Sequence, residues 1–169
     1  ELRLVCDTAH SLGVPVVGHC RNASSTRDAA LAGFDMILHA SYMDEEALGV
    51  VIDKGVPLVP TFTFLANLID YGDKVGADPA LQNIFRNEIA QSSTMLRRAY
   101  DAGVPLMCGS ESGFSVTPYG DWHYREMGLF VEHLGLTPLE AVACATEAGA
   151  SIFGLQDELG RIEENYIAD

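Results

Sequence analysis

Short apolar runs alternate with longer amphipathic stretches along the chain. The runs fall at residues 14–20, 36–40, 56–61 and 104–108 and are rich in Val, Leu and Ile. They are nearly continuous instead of alternating with polar positions, which is the pattern of strands buried on both faces of a parallel sheet. Residues 1–12, 24–31, 44–53 and 78–102 show helical spacing of apolar positions instead. Ser and Thr stand in capping positions at the start of the second stretch. Asp44, Glu45 and Glu46 bring negative charge to the start of the third, where a helix N-terminus is positive. Asp78-Pro79 supplies a cap followed by a proline in the first helical position.

One unit recurs at the junctions. It reads Leu12-Gly13-Val14-Pro15, Ala32-Gly33-Phe34-Asp35, Lys54-Gly55-Val56-Pro57 and Ala102-Gly103-Val104-Pro105. Glycine sits where a helix ends in the left-handed conformation, and the next apolar residue opens a strand. Proline is tolerated at a strand's first position, where its missing N–H breaks no ladder. Strands alternating with helices at this period mean βαβ units and an α/β fold of four parallel strands with flanking helices. The third connection is longer, and Gly72 and Gly76 predict a flexible loop before the long helix. Beyond residue 108 the chain changes character: 109–122 reads as a loop, 124–134 as a helix, and Thr137-Pro138-Leu139-Glu140 as a capping box opening a helix to about residue 148. A short turn is expected at 151–153.

The length of 169 residues fits one domain. Charged residues make up 20% and hydrophobic residues 48%, enough apolar surface for a globular core. The formal charge of −14 argues against nucleic acid and anionic membrane as partners, since both demand a basic patch. No apolar run approaches a membrane span and no leader peptide is visible, so a cytoplasmic protein is expected. Cys6, Cys20, Cys108 and Cys144 are scattered without a CxxC pair, which predicts free, reduced thiols and no structural zinc knot. The chain opens on Glu1, which hints at a fragment.

In parallel α/β folds the chemistry collects at the C-terminal ends of strands. Here those ends carry His19, His39, Thr61 and Ser110-Glu111. Neutral imidazole is a common zinc ligand, and neighbouring strands about 4.8 Å apart let two such side chains meet at one ion. Glu111 could join them as a ligand, or take a proton from activated water. A lone strand-end histidine is more often structural; two in matching places, with an acid on a third strand end, shift the balance toward metal or catalysis. Residues 109–113 read Gly-Ser-Glu-Ser-Gly, which lacks the central serine of a nucleophile elbow. No glycine-rich phosphate loop follows a strand. Among the other histidines, His10 reads as structural, His133 as solvated, and His123 as bordering the pocket.

The stretches Gly13-Val14-Pro15-Val16-Val17-Gly18-His19-Cys20, Ala32-Gly33-Phe34-Asp35-Met36-Ile37-Leu38-His39-Ala40 and Val59-Pro60-Thr61 resemble the amidohydrolase superfamily, its imidazolonepropionase-like and prolidase-like branches above all. The tail from Gly160 to Asp169 is similar to that family's G-x-I-x-x-G-x-x-A-D segment, with Asn165 where Gly is usual. The resemblance covers essentially the whole chain, 1–169, as one partial domain. It implies the C-terminal half of a (β/α)8 (TIM) barrel, strands five to eight, with His19 and His39 as metal ligands and Glu111 in the strand-eight acid position. The family's usual acid there is Asp; the extra methylene of Glu moves the carboxylate by about an ångström or more, a scale to which catalysis is sensitive. The resemblance further implies hydrolysis of amide or peptide-like C–N bonds by metal-activated water, with Zn as the expected divalent metal and small amides or dipeptides as substrates; Thr61 and His123, by their places at a strand end and beside the last loop, are expected on the substrate side. The family's strand-one H-x-H pair and strand-four lysine have no counterpart here, so the chain alone is expected to be inactive. Half a barrel with open edges is expected either to self-associate through them or to rearrange into a more open sheet. The competing expectation is a non-catalytic α/β domain whose strand-end histidines are vestigial.

Overall fold

A computed structural model describes residues 1–168; Asp169, which closes the tail motif, lies outside the described residues. The chain runs α1 (Leu2–Ser11), β1 (Val17–Cys20), α2 (Ala23–Ala32), β2 (Met36–His39), α3 (Glu45–Lys54), β3 (Leu58–Val59), α4 (Phe62–Tyr71), a 3-10 turn (Gly72–Val75), α5 (Pro79–Asp101), α6 (His123–Leu134), α7 (Pro138–Ala145) and α8 (Glu147–Ile152). The sheet is parallel, in the order β1-β2-β3. Its register sets His19 opposite Leu38 and Cys20 opposite His39. The two histidines therefore end adjacent strands one residue out of step.

The recurring junctions behave as their sequence predicts. Gly13, Gly33, Gly55 and Gly103 all take positive φ, between 61° and 96°. Asp44 and Asp78 form the expected caps, each accepting a backbone N–H at the start of α3 and α5, whereas α2 starts at Ala23 and is capped by Asn22, with the Ser and Thr expected to cap it lying inside the helix. Thr137 and Glu140 close a reciprocal capping box at α7.

The fourth run is not a strand of the sheet. Leu58 N–H donates to Pro105 O and Met107 N–H donates to Leu58 O, both at 2.9 Å, so residues 104–108 meet β3 at the single parallel bridge Leu58–Leu106. Proline explains the curtailment. Pro60 follows β3 and Pro105 precedes Leu106, so two N–H groups that a longer ladder between the two runs needs do not exist. Cys108 N–H turns away to Cys144 O at 3.1 Å. The first run is shortened too, because Val16 N–H is taken by the Asp35 carboxylate at 2.6 Å.

Two other expectations change. The connection before the long helix contains a helix of its own, α4, in which Phe62 and Leu65 are buried. The last helix breaks at Thr146, giving α7 and α8 in place of one helix and a turn.

The core lies where the strands meet the helices. Ile37, Leu58 and Leu106, the middles of three runs, are 0–1% exposed, and Val51, Phe62, Leu96 and Phe130 pack over them from the helices. Each such side chain contributes about 1.5–3 kcal/mol on burial. All four cysteines are free thiols. Among the described residues no helix is long and apolar enough to cross a membrane.

Candidate metal centre

The C-terminal ends of β1 and β2 and the loop after residues 104–108 bring three predicted residues together. One ligand atom from each of His19, His39 and Glu111 lies within 4.8 Å of the others. His19 Nδ1 stands 2.9 Å from His39 Nε2, and Glu111 Oε1 is 3.8 Å from the same nitrogen. His39 and Glu111 are largely sequestered while His19 faces outward. This group could hold a metal ion.

Backbone conformation aims these side chains. His39, Thr61 and Glu111 have φ of 68°, 56° and 52°, in the left-handed region that non-glycine residues avoid. Each such residue costs on the order of 1–3 kcal/mol, and such strain gathers at functional sites. The chain thereby turns sharply at the last residue of β2, just past the end of β3 and in the loop that follows residues 104–108.

Thr61 does not open into free space. It is 4% exposed, and its hydroxyl donates to Pro60 O at 2.7 Å while lying 2.6 Å from His39 Nδ1. A threonine hydroxyl has one proton, and Pro60 O can only accept. His39 Nδ1 must therefore be the donor to Thr61 Oγ1, which leaves the Nε2 lone pair facing His19 and Glu111. That is the tautomer a metal needs, fixed by an outer hydrogen bond.

Electrostatics follow from burial. Desolvation, helped by His19 and Arg21, pushes His39 down to about 4, so the ring is neutral at physiological pH. Burial raises Glu111 above the usual carboxylate range, against the pull of His19 and Arg21. The imidazole of His39 is therefore neutral, and the carboxyl of Glu111 gives up its proton less readily than a free one.

Two buried carboxylates frame the group, and the sequence reading passed over both. Glu88 of α5 is 3% exposed and accepts from Arg21 Nε at 3.1 Å, from an Arg21 terminal nitrogen at 2.5 Å and from Ser41 Oγ at 2.6 Å. Arg21 and Ser41 each stand two residues after a site histidine, so one acid ties down both strand-end loops. Glu126 of α6 is fully buried and accepts from Phe62 N–H at 2.8 Å, Thr63 N–H at 2.7 Å and Thr63 Oγ at 2.5 Å. Burial raises it to about 7 against these donors. A signal existed for Glu126: it shares a helical stripe with Leu129, Phe130 and Leu134, an acid where the pattern demands an apolar residue.

The other histidines divide. His123 opens α6 and lies exposed, with Nδ1 3.3 Å from the Oγ of Ser110, the residue before Glu111. His10 pairs with Asp35 at 2.8 Å and joins α1 to the start of β1. His133 is not simply solvated: its ring meets Phe62 edge-on at 6.1 Å.

The sequence model of the Amidohydrolase family matches residues 1–169. The chain belongs to that family. It is 28% identical over 98% of its length to an imidazolonepropionase of Klebsiella pneumoniae, covering 36% of that protein. It is 27% identical over its full length to an ochratoxinase of Aspergillus niger, covering 34% of it. The crystal structure of a Xaa-Pro dipeptidase with bound methionine superposes with a TM-score of 0.80 at 27% identity, over all of this chain and 41% of that one. The chain thus spans between a third and two-fifths of the length of these relatives.

Proposed function

We propose that the chain is the strand-five-to-eight half of the barrel of a metal-dependent hydrolase acting on amide or peptide-like C–N bonds in small molecules such as N-acyl amino acids or dipeptides. The convergence of His19, His39 and Glu111 within 4.8 Å carries the reading. Two imidazole nitrogens and a carboxylate oxygen are a donor set suited to Zn, with positions left over. A divalent cation bound there would polarise the scissile carbonyl and lower the pKa of water. In this reading His19 and His39 are ligands, and Glu111 takes a proton from the attacking water and passes it to the departing nitrogen. Thr61 serves by orienting His39, and His123 borders the substrate entrance through Ser110. The names of the relatives, an imidazolonepropionase, an ochratoxinase and a Xaa-Pro dipeptidase, support the bond class.

Two imidazoles and one carboxylate do not make the fuller ligand set of a working barrel, so the chain alone is expected to turn over nothing. Its open edge is expected to pair with a second copy: Leu4, Leu12, Val14 and Val17, along α1 and the approach to β1, are 47–74% exposed. Light scattering on a size-exclusion column should give more than a monomer, and a clean monomer refutes that part. Zinc titration with a competing chromophoric chelator tests the site itself. His19→Ala and His39→Ala should each weaken binding about tenfold or more. Binding equal to wild type in both variants would sink the assignment. With His39 Nδ1 donating to Thr61, His19 Nδ1–H can donate to His39 Nε2 and satisfy that nitrogen without metal. A wild-type chain that binds no zinc would therefore favour the vestigial reading.

A further inference from the structure

Helix α4 begins at the strand-three end of the site, yet its N-cap residue, Thr61, offers it no side-chain hydrogen bond. The Thr61 hydroxyl is committed to Pro60 O and His39 Nδ1. A helix N-terminus buried without a partner would leave N–H groups stranded. Glu126 fills that place from another element, reaching across from α6 to take Phe62 N–H, Thr63 N–H and the Thr63 hydroxyl. The positive end of the helix favours a carboxylate there.

We propose that Glu126 is a positioning residue for His39. Its carboxylate pins the first turn of α4, which holds Thr61 at φ 56° and so places the hydroxyl that selects the Nδ1–H tautomer of His39. The chain of contacts is continuous: Glu126 to Phe62 and Thr63, whose backbone follows Thr61, then Thr61 Oγ1 to His39 Nδ1, leaving Nε2 as the lone-pair nitrogen that faces His19 and Glu111. Thr61 is not a residue that would choose this conformation; a β-branched side chain resists positive φ, so something outside the turn must hold it. No other carboxylate hydrogen-bonds the first turn of α4 among the described residues. The consequence for metal affinity rests on the reading of His39 as a ligand, whereas the tautomer does not.

Nitrogen-15 NMR of the metal-free chain, read at the imidazole nitrogens of His39, tests the relay. The wild type should show the Nδ1–H form. Glu126→Gln, which turns one acceptor oxygen into an NH2 facing backbone donors, should move His39 toward a mixture of tautomers. Thr61→Val, which deletes the hydroxyl at constant shape, should do the same. The double variant should go no further than either single one, because both break one chain. Zinc affinity should fall about tenfold in each. A folded Glu126→Gln protein with lower stability but an unmoved His39 tautomer would overturn the proposal and leave Glu126 a merely structural cap. If that variant does not fold, Glu126→Asp keeps the charge and shortens the reach, and an unmoved His39 there overturns it equally. Tautomer shifts as expected, in a chain where no variant binds zinc, would sustain the positioning role and remove the metal reading instead.

Discussion

His39 and Glu126 should impose opposite pH dependences on stability, and the wild type should hide both. His39 titrates near 6.5 when unfolded and at about 4 in the fold. Between those values the unfolded chain binds the extra proton, so stability is lost as pH falls through the window. Glu126 runs the other way, from an ordinary 4.5 to about 7. There the folded chain binds the extra proton, so stability is gained as pH falls and lost as it rises. Displacements of this size are each worth about 3 kcal/mol, so the two nearly cancel between pH 7.5 and 4.5. His39→Gln should unmask the Glu126 dependence and be stabilised on acidification, by about 2–3 kcal/mol over that range. Glu126→Gln should unmask His39 and be destabilised by a similar amount. Urea unfolding followed by Trp122 fluorescence, with chelator present at pH 7.5, 6.0 and 4.5, reads both. Glu111, also raised, contributes in the same direction as Glu126 but is common to all three proteins. Asp35, Glu45 and Glu140 are held below the usual carboxylate range, and what they lose as pH falls is common to all three proteins. Variants that keep the wild-type pH slope would refute the reasoning, since each lacks one of the two opposing groups.

Three further outcomes are expected. Gly109→Ala would bring a Cβ within 2.5 Å of Val59 Cγ1 in a packed region, and overpacking of that kind should cost about 1–3 kcal/mol in urea unfolding. Thr137→Ala should remove about 1 kcal/mol by breaking the α7 capping box, with zinc binding unchanged, because that helix start lies away from the strand ends. Glu88→Gln should weaken zinc about tenfold by loosening Arg21 and Ser41 behind the two histidines; an unchanged chelator competition curve would show that the clamp does not reach the site.

Much of this was written locally. Helix ends, caps and the α-to-β junctions depend on a residue and its near neighbours, so Gly13, Gly33, Gly55, Gly103, Asp44, Asp78 and Thr137 announce themselves in the sequence. The strand-end places of His19 and His39 follow from the same local logic, because the apolar run fixes where a strand stops; Glu111 follows a run that does not become a strand. Other features depend on partners distant in the chain. Residues 104–108 look like any other strand, and only the prolines around β3 and the pull of Cys144 on Cys108 reduce them to one bridge. Helix α4 was hidden because its start is stabilised from α6 instead of by its own cap. Glu88 and Glu126 reach their partners across 47 to 67 residues of sequence, and a buried acid declares its purpose only when its donors are in place. The sequence by itself determined which residues stand at the ends of the strands. The tertiary structure decided how they are held, because the left-handed turns at His39, Thr61 and Glu111 are costly conformations that only packing from other elements can maintain.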